Sequence, residues 1–188
     1  MALELFEKLH ADGLPSGRDD FGNCHFLGCD FTSSDLSGLL FSDCHFEACN
    51  LSLATLKGTT LKDVIFRNCK LMGLSFQDCN KFLWTPTFQH CILHYAAFPG
   101  VNLKNTIFDH CELKEADFSG ANLTGVVFDG CDLSGTVFSH TILTGADFRT
   151  ARHYSLDPEN NRIRDARFSL PEVTGLLHKY GIRIDQTG

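Results

Sequence analysis

The chain has 188 residues, 43% of them hydrophobic, and a formal charge of -7, which allows one buried core and argues against a protein that coats nucleic acid directly. The amino terminus, Met1-Ala2-Leu3-Glu4-Leu5-Phe6-Glu7, lacks the basic and long apolar regions of a secretory signal, and no run approaches the roughly 18 apolar residues of a membrane span. Nine cysteines without an export signal therefore read as reduced thiols in a reducing, cytoplasmic compartment.

Leu3 to Ala11 carries helix-like spacing, stopped by Asp12-Gly13 and Pro15-Ser16-Gly17, and predicts a short N-terminal helical cap within residues 1–20. Beyond it the composition shows a repeat. There are 17 Phe against one Trp and three Tyr, the mark of one slot filled again and again. From Phe21 a Phe or Leu returns at every fifth position through Phe26, Phe31, Leu36 and onward to Phe76, and again from Phe88 to Phe148. Two residues before each lies a small or modest side chain, such as Cys24, Ser34, Ala54, Thr59 or Val64, with Leu39 and Leu74 as the bulky exceptions.

A period of five matches neither the helical 3.6 nor the strand 2.0. The chain must turn at regular intervals so that every fifth side chain points inward. Units such as Ala116-Asp117-Phe118-Ser119-Gly120 and Ala121-Asn122-Leu123-Thr124-Gly125 resemble the pentapeptide-repeat proteins over residues 21–148. That resemblance implies an all-β solenoid, a right-handed quadrilateral β-helix of about six to seven coils, each of about 20 residues. If four units make a turn, Phe26, Phe46 and Phe66 stack on one wall. Phe88, Phe108, Phe128 and Phe148 continue it, provided two residues are inserted near Cys79 to Phe82. A second wall, expected opposite the first, reads Phe31, Leu51, Leu71, Leu93, Leu113, Leu133. At the inter-strand spacing of roughly 4.8 Å, such a stack is a rod on the order of 30 Å long with a filled interior and no room inside for a substrate.

The break near residues 79–87 holds Trp84, the chain's single Trp, and reads either as a bulge or as a small projecting contact surface. After Phe148 the repeat dissolves. Asp157-Pro158-Glu159-Asn160-Asn161 reads as a turn, Ala166 to Leu170 as extended, Glu172 to Tyr180 as a helix closed by Gly181, and Ile182-Arg183-Ile184 as a short strand. This tail, residues 149–188, resembles the C-terminal ends of pentapeptide proteins that protect bacterial type II topoisomerases: the quinolone-resistance, microcin-immunity and albicidin-resistance types. In that group the tail makes a head-to-head dimer. The resemblance therefore implies a homodimer through Phe168, Leu170, Val173, Leu176, Leu177, Tyr180, Ile182 and Ile184; a simple cap on the last coil is the alternative. Several of the quinolone-resistance proteins carry longer loops that matter for protection, and this chain has no comparable insertion.

Residue placement argues against chemistry. The cysteines occupy the inward small slot, whereas His25, His45, His90 and His110 sit one residue away and point outward. A zinc site needs about four converging ligands and a Cys-His catalytic pair needs hydrogen-bond reach, so neither metal, cofactor nor enzyme activity is expected. The charge is more informative. Residues 21–148 hold 13 acids and seven bases, a net of -6, whereas 149–188 hold seven bases and five acids, a net of +2. Stacking places Asp109 on Asp129 and Glu112 on Asp132 about one corner, with Glu115 and Asp117 nearby. Like charges about 5 Å apart repel by roughly 1 kcal/mol in water, a cost that suggests a use. By resemblance, this acidic face binds a type II topoisomerase, DNA gyrase, as a DNA mimic that gives resistance or self-immunity to a topoisomerase poison. A solvated surface on a general protein-interaction scaffold is the alternative.

Overall fold

The computed structural model describes residues 3–82 and 84–184; Met1, Ala2, Leu83 and residues 185–188, which fall within the expected caps and break, lie outside the described residues. Among the described residues, ten short strands stack in parallel. They are β1 (Glu4–Glu7), β2 (Asp20–Gly22), β3 (Cys24–Leu27), β4 (Leu40–Ser42), β5 (His45–Glu47), β6 (Thr60–Lys62), β7 (Ile65–Arg67), β8 (Thr87–Gln89), β9 (Ile107–Asp109) and β10 (Val127–Asp129). Seven form one sheet in the order β1-β3-β5-β7-β8-β9-β10, and β2-β4-β6 form another. The remaining rungs are single parallel bridges such as Asp30↔Asn50, Glu112↔Asp132 and Asp147↔Arg167.

The repeat from Phe21 to Phe148 makes about six turns of a parallel β-solenoid. Register confirms the two-residue insertion: Phe46 pairs with Phe66, but Phe66 pairs with Phe88. There Trp84 turns inward and meets Phe76 edge-on at 5.6 Å, whereas Phe82 is left 74% exposed.

One wall of the core is an unbroken phenylalanine stack, with successive ring centroids 4.5 Å apart at Phe26–Phe46 and 5.1 Å at Phe88–Phe108. The ladder extends beyond the expected bounds at both ends. Phe6 stacks on Phe26 at 5.0 Å, and Phe168 on Phe148 at 5.2 Å. The wall facing it is Phe76, Phe98, Phe118 and Phe138, whose rings meet the first stack edge-on, as in Phe98–Phe108 at 6.1 Å. The Leu51-to-Leu133 column therefore lies on the adjacent side, not the opposite one, because a single pentapeptide turns only one corner. Stacked and edge-on aromatic pairs each add about 0.5–1.5 kcal/mol beyond area burial.

The small inward slot has a second role. Its side chains donate to the carbonyl of the large residue one coil earlier: Thr59 Oγ1 to Leu36 at 2.8 Å, Cys44 Sγ to Phe21 at 2.9 Å, Thr136 Oγ1 to Leu113 at 2.7 Å. Ala and Val fill the same slot without donating. Cysteine there is both a small hydrophobe and a weak donor.

The ends differ from expectation. Residues Leu3 to Ala11 form no helix. Phe6 sits 20 positions before Phe26, so β1 pairs with β3 in register, and only Ala11–Gly13 forms a 3-10 turn. Period five outweighs the local helical spacing because it places Phe6 in an existing column. Arg18 covers this end, 4.7 Å over the Phe21 ring and paired to Glu4 at 2.8 Å. At the other end the predicted helix is two 3-10 turns, Val173–Leu176 and His178–Tyr180. Gly181 closes them in the left-handed region at φ 59 as expected. Ile182 to Ile184 form no strand. Among the described residues, no helix is long and apolar enough to cross a membrane.

Candidate partner-binding face

Asp109 and Asp129 end β9 and β10 and are directly paired across the ladder. The chain then turns sharply through His110 at φ 49 and Gly130 at φ 61, and the next unit brings Glu112 and Asp132 into a bridge. The four carboxylates thus stand in two stacked pairs on either side of one corner. They are far from bare. Asp109 accepts from His110 Nδ1 at 2.6 Å, and Asp129 from Thr150 Oγ1 at 2.8 Å. Glu112 meets His94 Nε2 at 2.9 Å and Lys114 Nζ at 3.8 Å. Asp132 accepts from the Ser134 amide at 3.0 Å and hydroxyl at 2.6 Å. It also faces His153 Nδ1 at 3.1 Å and Lys114 Nζ at 3.5 Å.

Burial alone would raise the Asp132 carboxyl, but Ser134, His153 and Lys114 together outweigh it and hold the group well below the usual carboxylate range. Asp132 therefore does structural work as well: its oxygen on the Ser134 amide is the local bond that closes the turn. Asp117 does the same for the Ser119 amide at 2.8 Å. It lies one side further round, between Ala97 and Val137, so the structure does not bring it to the corner. Glu115 flanks the corner at φ 54 and accepts from the Tyr95 hydroxyl at 3.5 Å.

The histidines that line this face, His94 and His153, and the cation Lys114 were not picked out with the acids. The signal was available: His94 precedes Glu112 by 18 positions and His153 follows Asp132 by 21, the offsets of diagonal neighbours in a coil of about 20. The inward placement of cysteine holds, with all nine free and buried, and burial pushes the Cys44 and Cys79 thiols up to about 12. A different grouping, Asp109, His110 and Asp129, places one donor atom from each within 4.8 Å of the others. These side chains are already hydrogen-bonded as described.

Of the residues expected at a dimer junction, Phe168 and Leu176 pack inward against the last coil. Leu170 is 86% exposed and Ile182 56%. An open groove of about 280 Å³ is lined by Pro171, Thr174, Leu177, His178, Ile182 and Ile184. It gathers Leu177, Ile182 and Ile184 on one surface. Val173 is half-buried, and Tyr180 reaches back to Glu159 at 3.1 Å.

A parallel solenoid of five-residue units, its interior filled and its polar groups displayed at the corners, defines a repeat-built scaffold. Residues 19–98 match a pentapeptide repeat region, and residues 87–120 and 111–149 match pentapeptide repeats; the chain belongs to the pentapeptide-repeat family. No curated protein sequence matches it. Two solved structures of QnrB1, a plasmid-mediated fluoroquinolone resistance protein, are similar to it. A trypsin-treated form has a TM-score of 0.65 at 19% identity, covering 97% of this chain and 99% of that one. The full-length form has a TM-score of 0.59 at 20% identity, covering 96% and 99%. At this identity the likeness is one of fold.

Proposed function

We propose that this protein is a cytoplasmic homodimer that binds a type II topoisomerase, DNA gyrase, as a partial mimic of duplex DNA, and thereby confers resistance or self-immunity to a gyrase poison. The observation that carries the reading is the pair of stacked carboxylate rungs, Asp109 on Asp129 and Glu112 on Asp132. Lys114 bridges the Glu112–Asp132 rung, but no cation is paired with the Asp109–Asp129 rung among the described residues except through His110. A folding requirement accounts for only one of the four acids, the turn-closing Asp132. The fold shared with a fluoroquinolone resistance protein supports the choice of partner.

Magnitudes limit the mimicry. A duplex carries one charge per roughly 1.7 Å, or about 18 over 30 Å. The repeat region, with 13 acids against seven bases, supplies a third of that. Attraction to a basic groove is then steep in ionic strength and needs shape as well as charge. The groove at Leu177, Ile182 and Ile184 supports a C-terminal junction that doubles the rod.

The test is a supercoiling assay with purified gyrase, with and without a fluoroquinolone. Micromolar protein inhibits supercoiling or protects against the drug, and Asp109→Lys with Asp129→Lys abolishes the effect while leaving the fold intact. If wild-type protein neither inhibits nor protects, the reading is wrong. A second reading, a scaffold for an unrelated protein, is favoured by the outward apolar side chains of Leu53 and Tyr95, 64% and 58% exposed.

A further inference from the structure

One corner of the rod carries large apolar side chains where backbone and solvent both disfavour them. Successive coils place Ser33, Leu53, Gly73, Tyr95 and Glu115 there, each joined to the next coil by its amide. The Leu53 amide donates to the Met72 carbonyl at 2.9 Å and the Tyr95 amide to that of Lys114 at 3.0 Å. The corner holds the left-handed backbone, with φ 60 at Leu53, 65 at Gly73 and 59 at Tyr95. Glycine, asparagine and aspartate adopt that conformation readily, whereas a bulky side chain is strained in it. Among the described residues, Leu53 and Tyr95 are the two large apolar side chains held this way. Both are also more than half exposed, so burial does not offset the strain.

The two side chains make one strip. Gly73 stands between them, and Leu53 lies down across it, its Cδ2 2.7 Å from where a Cβ on Gly73 would stand. Met72 and Ile92, each half-buried, flank the strip. Tyr95 closes it, with its hydroxyl 3.5 Å from Glu115. Charge is distributed around this apolar middle. At one end, residues 30–35 hold Asp30 and Asp35, a net of -2. Residues 50–55 and 92–97 hold no formal charge, with His94 resting on Glu112 at 2.9 Å, and residues 70–75 hold Lys70 alone. At the other end, residues 112–117 hold Glu112, Lys114, Glu115 and Asp117, again a net of -2, and Lys114 also faces Asp132 of the coil beyond.

We propose that this corner is a docking strip for an extended segment of a partner protein, one with a short apolar run and Lys or Arg at both ends. Tyrosine and methionine are enriched at protein interfaces, and a convex corner offers the line of contact that an extended chain follows. Four steps of roughly 4.8 Å separate Ser33 from Glu115, about 19 Å in all, which about six extended residues span. The apolar run lies along Leu53, Met72 and Tyr95. Its flanking cations meet Asp30 and Asp35 at one end and Glu115 and Asp117 at the other, so the charges select the partner and the strip holds it. The inference is independent of the topoisomerase reading and of the Asp109–Asp129 rung, which stands on the preceding side of the coil.

The test uses the full chain and a labelled synthetic peptide, Lys-Lys-Leu-Phe-Leu-Lys-Lys, beside two controls. One control has serine in place of the apolar run, and the other has glutamate in place of every lysine. By fluorescence anisotropy, wild-type protein is expected to bind the first peptide about tenfold more tightly than either control. Leu53→Asn and Tyr95→Asn are each expected to remove most of that preference. Because asparagine tolerates the left-handed corner, both variants are expected to unfold in urea at the wild-type midpoint or above it, a result that a structural role for these side chains would not give. Equal binding of the three peptides overturns the proposal, as does wild-type preference in both asparagine variants. A lowered urea midpoint in both overturns it too, since the side chains then serve the fold. The Asp109→Lys, Asp129→Lys variant is expected to keep the wild-type preference; its loss there would place the contact on the acidic corner instead of the strip. Peptide preference in a protein that neither inhibits nor protects gyrase removes the topoisomerase reading alone.

Discussion

Gly175 lies so close to Tyr154 that a Cβ at this position would collide with the Tyr154 carbonyl oxygen and come within 2.8 Å of its ring carbon Cδ2. In the other direction, the Leu156 amide donates to the Gly175 carbonyl at 3.1 Å. This is where the C-terminal segment seats on the last coil. The closeness is possible because glycine has no side chain, not because of an unusual backbone angle.

Gly175→Ala is accordingly expected to lift the tail from the rod while leaving the repeat coils in place. The overpacking cost is about 1–3 kcal/mol and falls on the docking of residues 171–184. Hydrogen exchange should show lost protection at Leu156 and Leu177, whose amides bond to Gly175 and Thr174, with unchanged protection at Phe98 and Leu113. If the dimer junction is built on the docked tail, the same variant is monomeric by sedimentation.

The inward slot offers a cleaner test of hydrogen bonding. Thr59 is fully buried and its hydroxyl satisfies the Leu36 carbonyl. Thr59→Val keeps the shape and removes the donor; because the Leu36 carbonyl still accepts from the Leu39 amide at 3.3 Å, the expected cost in chemical denaturation is about 0.5–1.5 kcal/mol. Thr59→Cys, which restores a weaker donor of the kind seen at Cys44, should recover part of that loss.

Thiol reactivity should report global unfolding. All nine cysteines are buried, out of reach of a reagent in water, and burial holds Cys44 and Cys79 up to about 12, so those two carry little thiolate at neutral pH. A thiol-specific chromogenic reagent is expected to titrate none of them in native protein at pH 8 and all of them in guanidinium. Rapid modification of several cysteines in the native protein would contradict the packed interior.

Asp132 supplies a pH dependence with a definite sign. Its folded-state pKa is depressed below the unfolded value of about 3.9. Its contribution to stability is therefore fully present above that value and is lost as pH falls through the folded pKa. Asp132→Asn should be less stable than wild type at pH 7, and the gap between the two should close progressively below about pH 4. A gap of constant size from pH 7 to pH 2, followed by urea denaturation, would place the effect in the turn hydrogen bond to Ser134 rather than in the charge.

Much of the architecture was legible in the residues, because a five-residue period repeated in register has few solutions. Phe26, Phe46 and Phe66 had to share a wall once four units closed a coil, and the displacement from Phe66 to Phe88 exposed the two-residue insertion. What misled was local pattern at the ends. Leu3 to Ala11 looks helical on its own, and only the 20-residue offset from Phe6 to Phe26 reveals it as a rung. Likewise Phe168 belongs to the stack although the units between it and Phe148 have lost their regular form. The corner acids Asp109, Glu112, Asp129 and Asp132 could be placed because stacking follows from the period. Asp117 follows Glu112 by five positions, so the same period sets it one side further round, between Ala97 and Val137.

The order of the amino acids by itself determined which side chains face inward and which columns they join, since burial of Phe and Leu at a fixed period permits a single register. Only the tertiary structure decided what those columns do to one another. Diagonal approach across neighbouring coils puts His94 on Glu112 and His153 on Asp132, seats Gly175 against Tyr154, and sets Thr59 under the Leu36 carbonyl. Such contacts depend on the angle of each corner and the rotamer at it, which are settled when the coils pack and not before.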